Sequence, residues 1–214
     1  GDKNLDLGFT GTNGATGTGN GVSLIDGSAA TGKLSITTAS LTNLAAAGLT
    51  VKGGTAADTI TLSQKATVDA GAGTDTIVTS ANGGSLTGGA GNDKFDVAAS
   101  VATGATEATA ILTTITDLTA GDSIKLLAGN VGTTIGAKTA LDASVTNLGL
   151  ALAVTGLTDT VNEVSWFQYG SNTYLVANDG VAGIGAGDLV VKITGLVDLS
   201  TSTLDTTTDY LTIV

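Results

Sequence analysis

Residues 88–96 read Gly-Gly-Ala-Gly-Asn-Asp-Lys-Phe-Asp and fill every position of the pattern G-G-x-G-x-D-x-U-x, with U a large apolar residue. Glycines let the backbone take positive φ in a tight turn and bring carbonyl oxygens close to an ion. Asp93 supplies a hard carboxylate oxygen, the donor type that Ca²⁺ selects. Phe95 then opens a short strand as its inward apolar side chain. Counting back by nine from Phe95 reaches Leu86, Ile77 and Val68, and one step of eight reaches Ile60. Residues 70–78, Ala-Gly-Ala-Gly-Thr-Asp-Thr-Ile-Val, keep the pattern with Ala70 in place of the first glycine. Residues 53–61, Gly-Gly-Thr-Ala-Ala-Asp-Thr-Ile-Thr, keep it with Ala56 in place of the third.

The alternation predicts how these segments meet. The interleaved nonapeptides keep only the apolar residue, and the one around Asn82-Gly83-Gly84 has glycine where the aspartate would stand. If two nonapeptides complete one turn of the chain, every second loop lies on the same edge. Asp58, Asp75 and Asp93 are 17 and 18 residues apart, so they share that edge. Three neighbouring loops leave two gaps, hence two candidate Ca²⁺ sites lined by carboxylates and backbone carbonyls. The gap between 70–75 and 88–93 keeps the fuller consensus. The competing reading is a set of Gly-Asx turns with solvated aspartates. It does not account for apolar residue and aspartate repeating together in register.

Composition agrees with a thin, regularly packed β structure. Small and β-branched residues dominate, and the chain has 42% apolar residues but only 3% aromatic ones. That apolar content excludes a disordered acidic tail. The formal net charge of −11 argues against nucleic acid and against anionic membrane surfaces, and suits a protein that collects divalent cations. No apolar run reaches transmembrane length. Without cysteine there is no disulfide framework, which leaves bound metal as a stabilising device for a secreted chain.

Period-two apolar pairs mark strands at Leu5/Leu7, Val22/Leu24, Leu34/Ile36 and Leu49/Val51. Residues 1–52 are thus expected to form solenoid-like β coils without calcium consensus. The Gly-rich run 11–21 is an irregular turn, and residues 39–47 have room for a helical turn or two. Residues 53–97 form the calcium-binding segment, and 98–106 a small-residue linker. Strands are expected at Ala108–Leu118 and Ser123–Leu127, around the turn 117–122. Leu141, Val145, Leu148 and Leu152 predict a helix over 139–153, with Asp142 near its start to suit the dipole. Val164, Trp166, Tyr174 and Val176 alternate around a hairpin turn at 170–172, and 188–196 is a further strand. The aromatic residues of this block are expected in the core of a C-terminal β cap that spans 98–214.

Catalysis is not expected. The chain has no His and no Cys, which removes His-based triads, thiol nucleophiles and His-ligated zinc. Its two glutamates, Glu107 and Glu163, are isolated. Paired aspartates could serve a glycosidase, but the regular Asp58/Asp75/Asp93 series is better explained by ions.

Taken together, the nonapeptides, Thr-Ala-Gly-Asp-Ser-Ile-Lys-Leu at 119–126, Trp-Phe-Gln-Tyr-Gly-Ser-Asn-Thr-Tyr-Leu-Val at 166–176 and the acidic-then-apolar terminus carry a resemblance. Over 49–214 the chain resembles the C-terminal region of calcium-dependent RTX-type bacterial surface-layer proteins exported by type I secretion. Serralysin-like proteases and RTX lipases share much of the same ending. The resemblance implies a mainly all-β fold: a parallel β-roll or β-solenoid with calcium turns, followed by a β-rich cap with one short helix. It implies Ca²⁺ ligands at Asp58, Asp75 and Asp93, with loop carbonyls from Gly53, Thr55, Ala70, Gly71, Ala72, Gly73, Gly89 and Gly91. It also implies secretion to the cell surface of a Gram-negative bacterium through a type I exporter, with Tyr210–Val214 in an uncleaved secretion signal. The expected partners are further copies in a two-dimensional lattice, and a cell-surface polysaccharide bound through regions outside this chain. Neither nucleic acid nor membrane insertion is expected. The alternative function is the calcium-folded secretion module of a larger RTX enzyme or adhesin.

Overall fold

The computed structural model describes residues 5–8, 22–39, 48–104, 110–126, 135–155, 164–179, 181 and 184–214. Within them the chain is mostly β, with two large, mostly parallel sheets and one short helix. Up to residue 97 the strands are three or four residues long: β1 (Leu5–Gly8), β2 (Leu24–Asp26), β3 (Leu34–Thr37), β4 (Leu49–Lys52), β5 (Thr59–Thr61), β6 (Ala66–Asp69), β7 (Thr76–Val78), β8 (Gly84–Thr87) and β9 (Lys94–Asp96). Successive strands go alternately to the two sheets, so β5, β7 and β9 pair in parallel in one, and β4, β6 and β8 in the other.

The register follows the apolar series read from the sequence. Ile36, Ile60, Ile77 and Phe95 stand opposite one another in the first sheet, and Ile25, Val51, Val68 and Leu86 in the second. All eight are buried in one core cluster. A three-residue strand such as β5, β7 or β9 has only its middle side chain pointing inward, so one large apolar residue is enough there; the four-residue β3 and β4 each bury two, Leu34 with Ile36 and Leu49 with Val51. Burying each such side chain contributes roughly 1.5–3 kcal/mol.

Both sheets continue past residue 97. β10 (Ile111–Ile115) joins β8, and β11 (Ser123–Lys125) joins β9, both in parallel; Ile124 lies opposite Phe95 and Ile115 opposite Leu86. The first sheet then ends in antiparallel pairing, as β11 pairs β17 (Tyr210–Thr212) and β17 pairs β16 (Thr203–Asp205). In the second sheet β10 pairs β15 (Leu189–Thr194), β15 pairs β14 (Asn172–Ala177), β14 pairs β13 (Val164–Tyr169) and β13 pairs β12 (Ile135–Lys138). The β13–β14 hairpin turns at Gly170 and Ser171, with φ of 54° and 64°, as a two-residue turn of this twist requires. Its two faces serve different cores. Val164, Trp166 and Leu175 join the cluster between the sheets, whereas Phe167 and Tyr174 stack at 5.0 Å on the other face. The helix α1 (Leu148–Thr155) covers that second face with Leu148, Ala151 and Leu152.

Several expectations shift. The helix is shorter than 139–153, because Asn147 accepts the Leu150 N–H at 2.9 Å and starts it there. Asp142 instead holds the Ser144 N–H in a turn, at 2.6 Å. Strand β2 presents Ile25 to the core, 6% exposed, and leaves Leu24 50% exposed, the reverse of the phase set by Val22/Leu24. Residues 98–104 are tied to the fold, with Ala102 N–H on Asp188 O at 2.6 Å and Ser100 buried. The Gly-rich run 11–21 and residues 40–47 lie outside the described residues. No described helix is long and apolar enough to cross a membrane.

Candidate functional site

Loops 53–58, 70–75 and 88–93 each precede a strand of the first sheet, and the pairing of those strands sets the loops side by side. Loop 117–122 precedes β11 and makes a fourth member of the series. A ladder of carboxylates runs through all four. Asp58 Oδ1 accepts the Leu34 N–H at 2.7 Å, Asp75 Oδ1 the Asp58 N–H at 2.7 Å, Asp93 Oδ1 the Asp75 N–H at 2.8 Å, and Asp122 Oδ1 the Asp93 N–H at 2.8 Å. All four aspartates are buried. The three expected from the sequence therefore come together on one edge.

Their second oxygens differ. Asp58 Oδ2 accepts the Gly54 N–H at 2.7 Å, and Asp122 Oδ2 accepts both the Thr119 N–H at 2.8 Å and its hydroxyl at 3.1 Å. Asp75 Oδ2 and Asp93 Oδ2 are buried and have no hydrogen-bond partner. A buried charged oxygen left so costs several kcal/mol, roughly, unless something positive meets it. Burial pushes the Asp75 carboxyl up to about 7, and the neighbouring Asp93 and Asp58 charges add to the rise against the Asp58 N–H bond. Asp93 is raised by burial first, then by Asp122 and Asp117, against the Asp75 N–H bond.

The backbone around these oxygens is shaped by glycine. Loops 70–75 and 88–93 match at their glycines, with φ of 98° at Gly71 and 96° at Gly89, then 139° at Gly73 and 137° at Gly91. A Cβ on Gly89 would overlap the Gly71 carbonyl oxygen, and one on Gly91 the Gly73 carbonyl oxygen. These two carbonyls therefore face the neighbouring loop at close range. Ala72 and Ala90 pair as a parallel bridge between the loops. At the first position Ala70 is buried, and its N–H donates to Thr87 O at 3.0 Å. A Cβ on Gly53 would overlap Ala70 O, and Thr55 is exposed, with its N–H on Ala30 O at 3.0 Å.

The donor types at 70–75 and 88–93 suit a hard divalent cation: two buried carboxylate oxygens without partners, in loops that also present backbone carbonyls to each other. Side chains alone do not make the site, since among the described residues no three acidic side chains converge to hold a metal. Neither the protein-family models nor the curated proteins match this chain.

Loop 117–122 escaped the sequence reading as part of the site. Its Asp117 accepts the Gly88 N–H at 3.0 Å and the Gly89 N–H at 2.8 Å, so it clamps the start of loop 88–93. The signal was present. Asp122-x-Ile124 repeats the spacing of Asp58-x-Ile60, Asp75-x-Ile77 and Asp93-x-Phe95, without the preceding glycine pattern. Asp188-x-Val190 repeats it again, with Asp188 buried and accepting the Asp179 and Gly185 N–H groups at 2.8 and 2.7 Å.

Proposed function

We propose that this chain is a structural segment of a bacterial surface layer, whose two sheets form a calcium-dependent β-roll that folds outside the cell and assembles into a lattice. One observation carries the reading. In two adjacent loops whose glycines match in φ, a buried carboxylate oxygen has no partner in the protein. Asp75 and Asp93, with carbonyls of their loops, would hold the ions, and Ca²⁺ would supply the positive charge that the buried oxygens lack. In a calcium-poor compartment the carboxylates oppose folding, which suits passage of an unfolded chain through a type I exporter. Outside, ions that bind only the folded form pull folding forward by mass action. They also neutralise part of the −11 charge and so reduce repulsion between copies.

Electron microscopy of the purified chain, with millimolar calcium and with excess EGTA, tests the reading. Ordered sheets in calcium alone are expected. Calcium-dependent folding without sheets would favour a secretion module of a larger protein, and folding indifferent to calcium would overturn both. The export role is tested by deleting residues 209–214 in cells that carry the matching exporter. Export at the normal rate would leave Tyr210–Val214 with the part its geometry already gives it, a strand whose Leu211 is buried.

A further inference from the structure

We infer that Ala56 closes the first loop to calcium, so that the ion-binding array consists of loops 70–75 and 88–93 alone. The inference rests on the calcium reading above and concerns where the array ends. Strand register places Gly54 and Ala56 opposite Gly71 and Gly73 of the next loop and Gly89 and Gly91 of the one after. The two ion-facing loops need φ of 139° and 137° at the fourth position. A residue with a Cβ is strained there. Ala56 does not take a positive φ, and neither does Gly54. The first loop therefore follows a different path.

The consequence is local and visible. On that path the Gly54 N–H donates to Asp58 Oδ2 at 2.7 Å, the same oxygen that is unpartnered in Asp75 and Asp93. Asp58 thus spends one oxygen on the Leu34 N–H and the other inside its own turn. Loop 117–122 ends the array on the other side in the same manner, with Thr119 closing on Asp122 Oδ2. Asp58 and Asp122 are positioning residues that hold neighbouring loops by their N–H groups. Asp75 and Asp93 are the ligands.

A calorimetric calcium titration of the full chain, its Ala56→Gly variant, its Asp58→Asn variant and the double variant tests this. Ala56→Gly is expected to bind one ion more per chain than the parent, and the double variant to lose that gain. Asp58→Asn alone is expected to keep the parent's ion count. An unchanged count in a folded Ala56→Gly variant, or an ion lost in Asp58→Asn, overturns the inference. Should Ala56→Gly not fold, the Asp58→Asn arm decides by itself. A parent chain that binds no calcium overturns the calcium reading and this inference with it, an outcome distinct from a parent that binds ions while the variants match it.

Discussion

Asp93 Oδ1 accepts the Asp75 N–H at 2.8 Å, while Oδ2 of the same carboxylate lies buried without a partner. The first oxygen ties two loops together, and the second is a buried carboxylate oxygen that nothing in the protein meets. On the calcium reading, one side chain would join strand register to ion binding. Asp75 repeats the arrangement one loop earlier, on the Asp58 N–H.

Chelation is expected to act unevenly along the chain. Residues 49–97 form short strands with one or two buried apolar side chains each and carry both unpartnered oxygens, so removing calcium should open them first. Limited proteolysis in EGTA, read by mass spectrometry, should place the early cuts there. The hairpin at 164–177, with buried apolar residues on both faces, should be cut later. Identical cleavage patterns with and without calcium would contradict this.

Asp75→Asn is expected to change sign with conditions. In calcium it removes a charged ligand, and the calcium midpoint should rise at least tenfold, about 1.4 kcal/mol. In EGTA above pH 7 the same substitution removes a buried, unpartnered charge, so the metal-free protein should become more stable. Asp93→Asn should behave alike, because its Oδ2 is equally unpartnered. Thermal unfolding with and without calcium measures both effects.

The metal-free protein should gain stability on acidification. The folded Asp75 carboxyl is raised to about 7 from an ordinary value of 3.8. In the unfolded chain it is already ionised between those values, while in the folded chain it is still protonated. The folded state therefore binds the extra proton, and its advantage fades as pH climbs toward about 7. Denaturant unfolding in EGTA should show stability rising from pH 8 down to about pH 5. Calcium should flatten or reverse that slope, since the ion binds the ionised carboxyl.

Leu24 and Ile25 are neighbours with opposite expected sensitivities. Ile25→Ala removes a buried side chain and should cost roughly 2–4 kcal/mol. Leu24→Ser lies on the exposed face and should stay within about 0.5 kcal/mol. Equal losses in thermal unfolding would mean that β2 is in the other register.

The repeat is written in the order of residues alone. The step of eight or nine from Ile60 to Phe95 fixed which side chains are buried, and the shared spacing of Asp58, Asp75 and Asp93 fixed that they lie on one edge, because each follows from strand period and loop length. The hairpin at 164–177 was legible for the same reason. What the sequence left open depends on contacts between segments far apart in the chain. Asp122 joins the ladder from 29 residues beyond Asp93, without the G-G-x-G pattern to announce it, because β11 pairs with β9. The phase of β2 was decided by its pairing with β4, which sets Ile25 opposite Val51. Most of all, Ala56 already marks the first repeat as different in the sequence, but not what the difference does. Only the folded backbone shows that the Gly54 N–H meets Asp58 Oδ2, while the matching oxygens of Asp75 and Asp93 have no partner.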